Sequence, residues 1–171
     1  VDDKLIEVFL NDGVLSPDEI RYALRKGTLE GKLFPVLGGD SRTAIVKVLL
    51  DAVISYLPSP LDVDSAKGTD VNDPEKILER KAYNDESLAG LAFKVVTDPY
   101  IGQLVFFRVY SGILKSGSYA YNPIKGAKER ISRLVKMHAN SRSEVSELKA
   151  GEIGAIVGLK NTTTGDTLCD E

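Results

Sequence analysis

Positive side chains gather in one part of an otherwise acidic chain. Lys125, Lys128, Arg130, Arg133, Lys136, His138 and Arg142 follow one another closely, while the whole chain carries a net charge of −3 and a pI near 5.3. That balance is the wrong sign for a general nucleic-acid binder, so any RNA contact has to come from a local patch. On an extended strand Lys128, Arg130 and Lys136 share one parity, with Ile131, Val135 and Met137 on the other. Arg133 breaks the alternation and marks a bulge or a strand end. The chemistry such a face offers is contact with phosphates, which positions RNA without reading its sequence. The same charges also fit an ordinary solvated face.

The other reactive residue types are sparse. His138 is the only histidine, and neither a nucleophile nor an orienting group lies near it in sequence, so it reads as a turn residue beside Asn140. One His and one distant Cys do not make a metal site. Cys169 has no neighbouring cation to activate it, and a single cysteine excludes an intrachain disulfide, as in a reducing cytosol. Glu144 and Glu147 stand too close together for a carboxylate pair flanking a substrate and read as a surface loop. Asp98-Pro99-Tyr100-Ile101-Gly102 has the order of a turn, with Asp first, Pro second and Gly closing it. In Thr164-Gly165-Asp166-Thr167, Asp166 is placed to hold a turn through backbone amides.

The elements that must carry these residues change character along the chain. Its 171 residues, 43% hydrophobic and 27% charged, suit one ordinary or two small globular domains. No apolar run reaches the roughly 20 residues of a membrane helix. The first residue is Val1 rather than Met, as a cut fragment would have. Early on the pattern is helical. Leu5, Val8 and Phe9 follow Asp2 and Asp3. Ser16-Pro17-Asp18-Glu19 is a capping box with Pro in the first turn, leading into Ile20, Ala23 and Leu24, with Gly27 as the expected stop. Leu33–Leu37 reads as a short strand. Ile45, Val48, Leu49, Ala52, Val53 and Tyr56 form a further amphipathic helix. Residues 61–85 are polar and punctuated, an irregular loop.

After Ser87 the period becomes two. Leu91, Phe93 and Val95 alternate, as do Val105, Phe107 and Val109. Further strands are expected at Tyr119–Tyr121, Lys128–Met137 and Ile153–Leu159, separated by glycine turns. Such close-set strands read as a small antiparallel barrel.

Several of these runs, in this order, resemble the second domain of bacterial elongation factor G, a translational GTPase. They are Thr97-Asp98-Pro99-Tyr100-Ile101-Gly102, Arg108-Val109-Tyr110-Ser111-Gly112, Met137-His138-Ala139-Asn140 and Thr164-Gly165-Asp166-Thr167-Leu168. Lys149–Leu159, Leu50–Val53 and Tyr56–Pro60 are also similar to that family.

The resemblance implies an α+β chain. Residues 1–57 would be the helical and strand remnant of a P-loop GTPase domain, 58–87 a linker, and 88–171 a translation-factor β-barrel. It implies a cytoplasmic parent that moves tRNA and mRNA on the ribosome with GTP and Mg2+. The barrel would lean on small-subunit rRNA through Lys125, Lys128, Arg130, Arg133, Lys136 and Arg142, and would couple the GTPase domain to later domains. The guanine-contacting loop of the family would fall at Gly39, Asp40 and Ser41. There the usual Gly-Ser-Ala is replaced, and Asp40 beside a guanine carbonyl is unfavourable. Neither Gly-x-x-x-x-Gly-Lys-Ser/Thr nor Asn-Lys-x-Asp occurs, so this chain alone is not expected to hydrolyse GTP by the usual route. A ribosome-protection or release-factor GTPase shares the barrel and stays open as an alternative. So does a stand-alone interaction module, which would need its helices to pack on the barrel.

Overall fold

A computed structural model describes residues 2–71, 73–98, 101–139 and 141–170. The chain divides into two compact units, Val1–Asp62 and Val63–Glu171.

The first unit holds three helices, α1 (Asp3–Asp12), α2 (Pro17–Leu29) and α3 (Ile45–Tyr56). Asp2 caps α1 by accepting from the Lys4 N–H, and Gly13 ends it in the left-handed region. The expected capping box is present in α2: the Ser16 hydroxyl accepts from the Glu19 N–H, and Glu19 reaches back to the Ser16 N–H. Gly27 does not stop this helix, which runs on to Leu29. Its missing side chain serves packing instead, because a Cβ there would stand 2.5 Å from Leu33 Cδ1. The strand expected at Leu33–Leu37 is not formed. An apolar run becomes a strand only when another backbone pairs with it, and none does here. The helices bury only Gly27. Ile6, Phe9, Leu10, Ile20, Leu50 and Ile54 are all exposed.

The second unit begins with a two-stranded hairpin, β1 (Ala66–Thr69) and β2 (Ile77–Arg80), where an irregular loop was expected. It lacks apolar alternation and carries cross-strand charge instead, with Lys67 opposite Glu79. The rest is an antiparallel sheet of eight strands. They are β3 (Ala89–Asp98), β4 (Gly102–Ser111), β6 (Tyr119–Asn122), β7 (Ala127–Arg130), β8 (Arg133–His138), β9 (Ser141–Val145), β11 (Ile153–Val157) and β12 (Thr167–Cys169). Their order is β7-β6-β12-β3-β4-β11-β8-β9. A short pair, β5 (Ile113–Lys115) with β10 (Glu147–Lys149), completes the wall. Glu144 and Glu147 therefore sit on strands β9 and β10 rather than in a loop.

The long strand expected over Lys128–Met137 breaks at Ile131 and Ser132 into β7 and β8. Ile131 turns fully inward there, and its N–H and C=O pair with Ser118 and Gly117. One core cluster takes Phe107 from β4, Leu114 from β5, Leu134 from β8, Leu148 from β10, Ile156 from β11 and Leu168 from β12. Strands from both sheets share this core, so the sheet curls around it as in a small barrel. A bulge at Phe93 shifts the β3–β4 register, since Ala92 faces Phe107 while Lys94 faces Phe106, and bends the wall. A smaller apolar cluster of Leu104, Val135, Ala155 and Val157 lies apart from it.

Candidate nucleic-acid interface

The basic residues fall into two groups with different surroundings. The first lies on the β6–β7 hairpin at one end of the sheet. Alternation along β7 leaves Lys128 and Arg130 exposed while Glu129 between them is buried. In β6, Tyr119 is exposed and Tyr121 half-buried, whereas Ala120 and Asn122 point inward. The pairing sets Tyr119 opposite Arg130 and Tyr121 opposite Lys128. Lys125 is exposed in the connecting turn.

Buried polar groups hold this hairpin in place. The Glu129 carboxylate accepts from the Lys160 N–H (2.8 Å), the Asn161 N–H (3.1 Å) and the Thr162 hydroxyl. The Asn122 side-chain oxygen accepts from the N–H groups of Ile124 and Lys125, both at 3.1 Å, which shapes the turn. Its amide nitrogen donates to Asp166 at 2.9 Å, and Asp166 also accepts from the Thr163 N–H. Asp166 thus holds its loop through a backbone amide. Burial alone pushes its carboxyl up, but the Thr163 and Asn122 hydrogen bonds and the charge of Lys125 hold it below the ordinary value.

The second group lies towards the other end. Arg133 opens β8 and is exposed. Lys136 is half-buried and paired with Glu152. That hydrogen bond, with another from the Lys149 N–H, holds the Glu152 carboxyl below its usual range. Arg142 on β9 pairs with Asp98 at the end of β3. Among the described residues no ion pair engages Lys125, Arg130 or Arg133. Of the six basic residues singled out in the sequence, Lys136 and Arg142 are tied to Glu152 and Asp98, while Lys125, Lys128, Arg130 and Arg133 are exposed.

The remaining candidates take structural places. His138 is exposed at the end of β8, and Ala139 beyond it turns at φ 51°. Asp98 accepts from the Ile101 N–H at 3.2 Å, as its turn requires. Pro99, Tyr100 and Asn140 lie outside the described residues. Burial pushes the Cys169 thiol up, with Asp170 adding to the shift, the reverse of activation. Among the described residues no group of His, Cys, Asp or Glu could hold a metal ion, and no helix is long and apolar enough to cross a membrane.

In the first unit Gly39, Asp40 and Ser41 form an exposed loop before α3. The Asp40 carboxylate accepts from the Arg42 N–H at 2.9 Å and faces the Arg42 Nε. Its backbone carbonyl takes the Thr43 N–H and hydroxyl. The side chain is committed to its own turn, and as an acceptor it offers no donor to a guanine carbonyl.

Sequence reasoning missed Tyr119, Tyr121, Asn122 and Glu129. The alternation of Tyr119-Ala120-Tyr121-Asn122 was readable. The burial of Glu129 was not, since it depends on donors from residues 160–162.

Residues 102–169, from β4 to β12, match the family model of elongation factor Tu domain 2. A crystal structure of a protein from Thermus thermophilus has the same fold over 99% of this chain, with a TM-score of 0.70 and 22% identity. This chain spans 23% of the length of that protein. Over residues 102–169 the barrel is similar to elongation factor Tu domain 2.

Proposed function

We propose that this chain is a segment of a cytoplasmic translational GTPase, nearest in its motifs to elongation factor G. In this reading the barrel anchors the factor on the RNA of the small ribosomal subunit and couples a GTPase domain to later domains during movement of tRNA and mRNA. The observation that carries the RNA contact is the exposed set Lys125, Lys128, Arg130 and Arg133 on a barrel that matches the elongation factor Tu domain 2 family. Phosphate contact needs cations held outward on a rigid element, and the buried Glu129 and Asn122 supply that rigidity.

Residues 1–57 are read as the tail of the GTPase domain and 58–87 as the connection to the barrel. The exposed apolar side chains of α1 and α3 support this, because a helix stripe of that kind is made to be covered by further structure. GTP and Mg2+ belong, in this proposal, to the parent protein. The one loop here with a claim on the nucleotide, Gly39-Asp40-Ser41, does not fit guanine through its Asp40 side chain, and no catalytic step is assigned to this chain. A ribosome-protection or release-type GTPase would use the same barrel. The Asp98-Pro99-Tyr100 and Met137-His138-Ala139-Asn140 runs favour the translocase.

Co-sedimentation of the chain with purified small subunits, over a series of salt concentrations and beside an intact elongation factor G as control, tests the anchor. Binding that falls steadily with salt is expected. A control that binds while this chain does not would overturn autonomous anchoring.

A further inference from the structure

We propose that the exposed face of the β6–β7 hairpin is a stacking platform for unpaired RNA bases. Bases lie on Tyr119 and Tyr121, and Arg130 and Lys128 hold the adjoining phosphates. The inference rests on the RNA-contact reading above and specifies which form of RNA the hairpin takes.

Its basis is the pairing register. Tyr119 faces Arg130 and Tyr121 faces Lys128 across the hairpin, so two aromatic rings and two cations share one face. The rings are two residues apart on one strand, about 7 Å along it. Tyr119 is 56% exposed, a large ring left open between charges. Ala120, Asn122 and Glu129 occupy the opposite face and are buried. The three hydrogen bonds accepted by Glu129 and the two accepted by the Asn122 side-chain oxygen fix that orientation before any ligand arrives. Aromatic side chains interleaved with basic ones on a sheet bind splayed single-stranded bases, whose flat faces a duplex keeps hidden. A duplex would use the cations and leave the tyrosines idle.

The test uses the whole chain and fluorescein-labelled RNA: an oligouridine of about twelve nucleotides and a duplex of the same length, read by anisotropy. Wild type is expected to prefer the single strand. Tyr119→Leu with Tyr121→Leu weakens that binding by about tenfold or more, while Tyr119→Phe with Tyr121→Phe stays within about twofold. Arg130→Glu weakens both RNAs. Retained binding by the Phe pair, with unchanged circular dichroism in the Leu pair, separates stacking from misfolding. Leu variants that bind like wild type, or a duplex bound as tightly as the single strand, would overturn the platform. If only Arg130→Glu then weakens binding, phosphate anchoring survives without stacking. If wild type binds small subunits but no oligouridine, the platform alone falls. If it binds neither, both readings fall.

Discussion

The buried carboxylate of Glu129 accepts the hydroxyl of Thr162, 33 residues away in sequence. This contact, with the N–H groups of Lys160 and Asn161, fastens β7 to the loop before β12. It is also what turns Lys128 and Arg130 outward on either side. Glu129→Ala leaves three donors without their acceptor, the Thr162 hydroxyl in a buried place and the Lys160 and Asn161 N–H groups in part-buried ones. A loss of about 2–3 kcal/mol in barrel stability is expected, read by urea unfolding with near-UV circular dichroism. Glu129→Gln keeps one acceptor and should lose less. Equal losses would show that the hydrogen bonds contribute little.

Acid should loosen the barrel through Asp166 and Glu152, since both carboxyls are held below their ordinary values in the folded chain. A depressed folded-state value means that the stabilisation is fully present above the unfolded value, near pH 4. It is lost as pH falls through the lower folded value. Asp166→Asn should be less stable than wild type at neutral pH, because a neutral amide oxygen accepts more weakly from the Thr163 N–H and the Asn122 amide and loses the attraction of Lys125. It should also show a flatter decline in melting temperature below about pH 4. An unchanged acid slope would contradict this assignment.

Two glycines with positive φ separate backbone strain from crowding. Gly112 (φ 73°) leaves no room for a Cβ, which would stand 2.7 Å from the Leu88 nitrogen, whereas Gly117 (φ 81°) has nothing within 4 Å. Gly117→Ala should cost about 1–2 kcal/mol from the left-handed backbone alone. Gly112→Ala should cost clearly more, because backbone has to move. Comparable unfolding midpoints for the two variants would contradict the packing described around Leu88.

The helical unit should be the looser one. Its helices bury only Gly27, while the barrel wraps a core around Phe107, Leu134 and Ile156. Amide exchange tracks local burial, so α1 and α3 should exchange well before β4 and β11. Equal protection would mean that the helices have found cover in solution, and that the exposed apolar face is no sign of a missing neighbour.

What the sequence made legible was whatever local chemistry decides. The Ser16–Glu19 box, the α3 stripe and the alternation in β4 each carry their own signal, and each element formed. Leu33–Leu37 did not, because a strand depends on a partner that no local pattern supplies. The β1–β2 hairpin formed where apolar alternation is absent, its strands carrying the ion pair Lys67–Glu79 and flanked by Lys76–Asp70 instead. Of the candidate site, the cations were visible as a charge cluster. That Lys136 answers Glu152 and Arg142 answers Asp98 was not, because those partners lie 16 and 44 residues away. Glu129 escaped notice for the same reason: a charge flanked by charges reads as surface until its donors are brought to it.

The most direct measurement is small-subunit affinity across a salt series for wild type and for Lys125→Glu/Arg130→Glu/Arg133→Glu. Weaker binding is expected at every salt concentration, with a slope of log affinity against log salt reduced by about one per cation removed. Wild-type affinity and slope in the triple variant would contradict it, and the barrel's exposed cations would then be an ordinary solvated face.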